Sequence, residues 1–167
     1  GAVGVEAIRR CVEAALGRAE EGVDDRVGIV QQVGEGESFP APYYLATLCD
    51  PAEFSDAVPP RQAAGVATDW NAAFMKALGE AYERYAAGVY RDADVQRARA
   101  SQLDAYVPPS SCVTPAAPAW DEATDYEWVD AVDLHTNRVT HVPANVVFHP
   151  PGDRTIRPPL TTGLGLG

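Results

Sequence analysis

A chain of 167 residues with 46% hydrophobic content is long enough to bury a core of its own. Its 24 acidic against 13 basic side chains give a formal charge of −11, and Lys76 is the sole lysine. That balance lacks the basic footprint needed for nonspecific nucleic-acid binding or for an anionic membrane surface, and no apolar run approaches the roughly 18 residues of a bilayer span.

An acidic surface poor in lysine fits a protein adapted to high salt, where screening relieves self-repulsion; an ordinary acidic cytoplasmic protein is the simpler alternative. Cys11, Cys49 and Cys112 are odd in number and far apart, so free thiols in a reducing, cytoplasmic compartment are expected. Nothing nearby supplies any of them with a base, and no secretory leader is expected.

In chain order, Val5 to Glu21 repeats apolar residues at helical spacing (Val5, Ile8, Val12, Ala15, Leu16, Ala19), and Gly22 is placed to end that helix in a left-handed conformation. Arg26 to Val33 and Pro42 to Leu48 read as neighbouring strands. Asp50 to Gln62 reads as a proline-bearing loop, and Ala63 to Ala67 as a short strand. A long helix follows from Asp69 to Arg91, capped by Thr68 or Asp69. A second helix is expected over Asp92 to Leu103, where Arg97 and Arg99 either serve a phosphate or form a solvated face. Pro108 to Trp120 is too proline-rich for a regular element. Trp120, Tyr126 and Trp128 read as core aromatics, with stacking on a base as the alternative. Glu127 to Leu134 and Arg138 to Val142 predict a hairpin turning at His135-Thr136-Asn137, and Asn145 to Phe148 continues as β. His135, His141 and His149 lie close in sequence but lack the spacing of a familiar zinc site.

The long helix carries the chemistry of most interest. Its apolar stripe is Trp70, Ala73, Phe74, Ala77, Leu78, Ala81, Tyr85 and Val89; Lys76, Glu80 and Glu83 lie along one flank, with Arg84 nearer the stripe. Two carboxylates at i and i+3 can offer oxygens jointly to Mg²⁺, and a guanidinium beside them can hold a phosphate. From spacing alone a solvated face of i,i+4 charge pairs accounts for the same residues.

The run Lys76-Ala77-Leu78-Gly79-Glu80-Ala81-Tyr82-Glu83-Arg84 resembles the nucleotide-binding helix of the YcaO family, in which a serine precedes Glu-x-x-Glu-Arg. Lys76 stands at the serine position, where its ammonium can contact a phosphate. Two further stretches resemble the family in the same order. They are Trp128 to Ala144, ending in Val142-Pro143-Ala144, and the terminal Thr161-Thr162-Gly163-Leu164-Gly165-Leu166-Gly167. Near Gly65 the family has a glycine-rich turn, often with a basic residue that is absent from this sequence.

The resemblance covers roughly Tyr43 to Gly167 and implies the first part of a YcaO-like domain, truncated before its downstream acidic ligands. It implies ATP and Mg²⁺ as cofactors, with Glu80 and Glu83 on the metal, Lys76 and Arg84 on the nucleotide, and no residue assigned a catalytic role. The activity implied is phosphorylation of a peptide-backbone amide oxygen, leading to an azoline or a thioamide. Its partners would be a peptide or protein substrate, a sulfur-delivering or precursor-binding protein, and a second copy if truncation bares a sheet edge or an apolar face. A noncatalytic binding or scaffold fragment is the alternative, and a small acidic module unrelated to ATP the third. The expected fold is α+β or α/β, with two or three helices on a mixed, mainly antiparallel sheet. Its expected sections are 1–62 (helix and strands), 63–103 (nucleotide-site helix and a following helix), 104–125 (proline-rich loop) and 126–167 (hairpin and glycine-rich end).

Overall fold

The structure, a computed structural model, describes residues 2–36, 40–52, 60–112 and 120–148. The glycine-rich end and His149 lie outside these residues. The described chain is α+β and divides into two compact units, one holding residues up to Asp50 and from Pro60 to Tyr85, the other Pro51, Ala52 and those from Ala86 onward.

In the first unit, helix α1 (Ala2–Glu20) is followed by strands β1 (Val30–Glu35), β2 (Tyr43–Leu48) and β3 (Gln62–Val66), then helix α2 (Trp70–Gly88). The strands form an antiparallel sheet in the order β1-β2-β3. Leu48, Ala46 and Val30 on the sheet are buried with Ala63, Ala77, Leu78 and Ala81, so the apolar stripe read from the sequence is the face α2 buries. Asp69 provides the cap, its Oδ1 accepting from the Ala72 amide at 2.9 Å.

The expected strand from Arg26 starts later because the Asp24 carboxylate accepts from the Arg26 and Val27 amides, each at 2.9 Å. That turn removes the donors a strand would use. Gly22 follows α1 but does not take the left-handed backbone expected of it; the Tyr82 hydroxyl lies where a Cβ on residue 22 would stand, 1.6 Å from that position, so a side chain there would displace the end of the tyrosine. Gly65 lies within β3 rather than in a turn. A Cβ on it would come within 2.0 Å of the Ala73 carbonyl oxygen and 2.3 Å of the Ala77 amide nitrogen. Helix and strand are in contact there only because the side chain is absent.

The second unit holds β4 (Gln96–Arg99), β5 (Asp125–Asp133), β6 (Arg138–Pro143) and the single-turn α3 (Ala144–Val147). The sheet order is β4-β5-β6, again antiparallel. The strands are thus split between two sheets rather than joined in one. Trp128 is fully buried and its indole N–H donates to the Ala98 carbonyl at 3.0 Å, with Tyr126, Tyr106 and Trp120 around it, so the aromatic cluster is core.

Two expectations fail here. The helix predicted over Asp92 to Leu103 is a 3₁₀ turn (Asp92–Asp94), strand β4 and a second 3₁₀ turn (Ala100–Gln102). Ala98 and Ala100 are both buried, a period of two, and Arg97 and Arg99 pair across the strands with Glu127 at 3.1 Å and Asp125 at 3.5 Å. Cross-strand pairing overrides a weak helical pattern. Asn145 to Phe148 does not continue as β. Adjacent Ala144 and Asn145 are both buried, which a strand facing one core cannot achieve, and the Phe148 amide closes a helical turn on the Ala144 carbonyl at 2.8 Å. The hairpin turn is as predicted. Asp133 Oδ1 accepts from the His135 and Thr136 amides, and Asn137 takes φ 55°, which asparagine tolerates.

No helix among the described residues is long and apolar enough to cross a membrane.

Candidate functional site

The pairing of β2 with β3 uses the backbone groups of Ala63 and Gly65, and those of Arg61 continue the pattern. By alternation, Gln62, Ala64 and Val66 turn their backbone groups to the open side of β3, the last strand of its sheet. An edge of this kind ordinarily stays wet or invites another strand.

Here α2 closes it with three charged side chains. Lys76 Nζ donates to the Val66 carbonyl at 3.1 Å, the Ala64 amide donates to Glu80 Oε2 at 2.8 Å, and an Arg84 terminal nitrogen donates to the Gln62 carbonyl. The other terminal nitrogen of Arg84 donates to Glu80 Oε1 at 2.5 Å, in an i,i+4 ion pair.

The match is geometric. Eight helical residues rise about 12 Å at 1.5 Å each, while four strand residues run about 13–14 Å at 3.4 Å each. Residues i, i+4 and i+8 of the helix therefore meet alternate residues of a strand running the opposite way. Charged groups that the sequence alone reads as a solvated face are the lateral fastening of β3.

The structure separates the four residues of the expected site into two kinds. Lys76, Glu80 and Arg84 belong to the fastening; Glu83 is exposed and stands outside it. Side-chain exposure is 15% for Arg84 and 24% for Glu80, whereas Lys76 is exposed. Arg84 Nε is buried and, among the described residues, has no hydrogen-bond partner.

The donor set suits a partial Mg²⁺–phosphate site. Each Glu80 oxygen receives one protein donor and retains a lone pair, Glu83 is a second, exposed carboxylate three residues along the helix, and Lys76, among the described residues, uses one of its three ammonium hydrogens. Two carboxylates leave most of an octahedral shell to water and phosphate oxygens, as is usual for Mg²⁺ with nucleotides.

The other candidates are accounted for locally. His141 Nδ1 lies 2.8 Å from the Ala105 carbonyl and its Nε2 3.4 Å from Asp130, while His135 is exposed at the hairpin turn. Among the described residues no three histidine, cysteine or carboxylate side chains are grouped to hold a metal. Burial pushes the Cys112 thiol up, the opposite of an activated thiolate.

Sequence reasoning missed the part played by Gln62, Ala64 and Val66, which act through backbone atoms. The available signal was the i, i+4, i+8 spacing of three charges beside a short strand of small residues.

A search of curated proteins finds no match for the chain. Among solved structures, YcaO from Methanopyrus kandleri, bound with AMPPCP and Mg²⁺, is similar over 83% of this chain at 24% identity with a TM-score of 0.57. A heterocyclase in complex with substrate and cofactor is similar over 86% of it at 17% identity with a TM-score of 0.65. These likenesses show the fold. The chain spans 33% of the first protein and 23% of the second. The profile described as YcaO cyclodehydratase, ATP- and Mg²⁺-binding, matches residues 64–167, which begin in β3 and take in all of α2. With more than half its length matched, this chain belongs to the YcaO family.

Proposed function

We propose that the chain is the nucleotide-site part of a cytoplasmic, ATP-dependent enzyme that activates a peptide-backbone amide for azoline formation, with thioamide formation as the variant chemistry. The observation that carries this reading is the α2 edge, where Lys76, Glu80 and Arg84 converge on β3 and Glu83 is exposed on the same helix, inside the segment the family profile matches. In this reading Glu80 and Glu83 hold Mg²⁺, Lys76 meets the nucleotide phosphates, and Arg84 adds positive charge behind them. When bound, Mg·ATP supplies the phosphoryl group that makes an amide oxygen a leaving group. The chain's own contribution is to bind, orient and offset negative charge, the main demands of phosphoryl transfer.

A peptide or protein substrate, a sulfur-delivering or precursor-binding partner and a second copy of the chain are the proposed partners. The outer face of the first sheet, with Leu45 53% and Val66 54% exposed, supports a covered surface in the larger assembly.

A second reading, a family fragment that binds weakly and does not turn over alone, is favoured by one observation: both Glu80 oxygens already accept from protein donors. Calorimetric titration of Mg·ATP into the chain at high salt, repeated with Glu80→Gln plus Glu83→Gln, tests both. Binding that vanishes in the double variant supports a nucleotide grip on α2. Binding that survives it removes the grip from these carboxylates, and Mg²⁺-dependent turnover by the chain alone overturns the second reading.

A further inference from the structure

We infer that Arg84 is a positioning residue, which presets the Glu80 carboxylate and the β3 edge and does not itself contact the nucleotide phosphates. The inference rests on the nucleotide-site reading above and assigns different tasks to its two cations.

The side chain is committed on both arms. One terminal nitrogen donates to the Gln62 carbonyl and the other to Glu80 Oε1, while Nε is covered by protein. Only 15% of the side chain is exposed. The paired donors that would grip a phosphate are therefore split between a strand carbonyl and a neighbouring carboxylate. Lys76 differs on every count: it is exposed and, among the described residues, uses one of its three ammonium hydrogens, on the Val66 carbonyl.

What Arg84 does to Glu80 is specific. A glutamate on a helix has three side-chain torsions, and each free rotamer dilutes the one that faces a metal. Arg84 holds Oε1 while the Ala64 amide holds Oε2, so the carboxylate plane is fixed from two directions. Because Arg84 also binds Gln62, two residues along β3 from Ala64, the strand and the carboxylate are fixed by one group.

The test is amide exchange at Ala64 in the 167-residue chain without ligand, for wild type, Arg84→Gln, Arg84→Lys and Lys76→Gln, joined to Mg·ATP titration of the same proteins and of Glu80→Gln with and without Arg84→Gln. If Arg84 positions Glu80, exchange at Ala64 quickens about tenfold or more in Arg84→Gln, the size of one hydrogen bond to a charged group. It also quickens in Arg84→Lys, whose single amine cannot serve both acceptors, and stays near wild type in Lys76→Gln. The affinity loss from Arg84→Gln then disappears once Glu80 is Gln, because the two changes act through one group. Should Arg84→Gln fail to fold, Arg84→Lys carries the comparison, since a phosphate contact would survive in Lys and a two-armed brace would not. Unchanged exchange at Ala64 in the folded Arg84 variants overturns the inference, as does an affinity loss additive with Glu80→Gln. Absence of Mg·ATP binding by the wild type would mean that the rest of the domain supplies the site or that the likeness is one of fold only, and the exchange comparison would still decide whether Arg84 braces Glu80.

Discussion

Glu80 and Ala64 lie sixteen positions apart in sequence, yet the carboxylate oxygen of the first accepts the amide proton of the second at 2.8 Å. This bond is the middle rung between Lys76–Val66 and Arg84–Gln62. Glu80→Ala removes the only rung in which the helix supplies the acceptor, and leaves the largely covered Arg84 without its counter-charge. A loss of about 2–4 kcal/mol is expected from the missing charged hydrogen bond and the stranded cation. Glu80→Gln keeps an acceptor for Ala64 and should lose less. Urea unfolding of the two variants checks the order; equal midpoints to wild type would show that the rung contributes nothing.

Gly65→Ala is the sharper packing test. The added methyl would stand 2.0 Å from the Ala73 carbonyl oxygen and 2.3 Å from the Ala77 amide nitrogen, both backbone atoms that cannot rotate aside. Strand and helix must separate, at a cost of about 1–3 kcal/mol or more. That movement also lengthens all three rungs, so exchange at Ala64 should rise along with the loss of thermal stability. A tolerated methyl with unchanged exchange would contradict the close approach.

Acid should weaken the turns before it reaches the core. Asp133 is held below the usual carboxylate range first by the His135 amide and then by Thr136, and Asp121 first by the Thr124 hydroxyl and then by the Ala123 amide. A carboxylate depressed in the folded state adds stability that is present above its unfolded value of about 3.9 and is lost as pH falls through the folded value. The stability curve should therefore bend downward below about pH 4. Asp121→Asn with Asp133→Asn should flatten that limb and leave the plateau lower, since Asn accepts more weakly. Denaturant midpoints between pH 2 and pH 6 measure it, and an unaltered acid limb would exclude these turns as its source.

Much of the first unit was legible because its patterns are long or local. The α2 stripe from Trp70 to Tyr85 has one strong period, Asp69 caps it, and Tyr43 to Leu48 has the branched and aromatic residues of a strand. Asp92 to Leu103 misled because Val95 and Ala98 fit a helical period, while the deciding partners, Asp125 and Glu127, lie about thirty positions away in sequence. Asn145 misled for a related reason: a one-turn helix is too short to show a period. At the candidate site, spacing alone left Lys76, Glu80, Glu83 and Arg84 readable as a solvated face, and the family resemblance singled out that stretch of α2. Its fastening to β3 was not legible, since the acceptors and donor on the strand are backbone atoms that any residue carries.

The cysteines should differ in reactivity. Cys11 is exposed on α1, whereas Cys112 packs against the Trp128 core and its thiol is pushed up by burial. The thiolate is the reacting species, so a partly buried Cys112 with a raised pKa reacts more slowly than Cys11. Under native conditions at pH 8, iodoacetamide should label Cys11 well before Cys112, with the difference lost in urea. Peptide mass spectrometry over time reads the order, and early labelling of Cys112 would mean that its core opens easily.

Salt should stabilise the chain, and the reason lies in its charge balance rather than in any one pair. A net charge of −11 on 167 residues repels itself most strongly when folded and compact. Raising sodium chloride from 0.1 M to 1 M shortens the screening length from about 10 Å to about 3 Å, which relieves repulsion between separated carboxylates. The opposing loss is small. Arg91–Asp94 and Arg99–Asp125 are exposed at the surface, and pairs of that kind contribute about 0–1 kcal/mol each. The better covered pair, Arg84–Glu80, is screened far less. The melting temperature should rise by several degrees across that range, about 1 kcal/mol or more for a domain of this size. Chloride is the right anion, because sulfate would stabilise almost any protein through surface exclusion. A flat or falling melting temperature in chloride would show that local pairs outweigh net repulsion, and would remove the physical basis for reading the acidic surface as an adaptation to high salt.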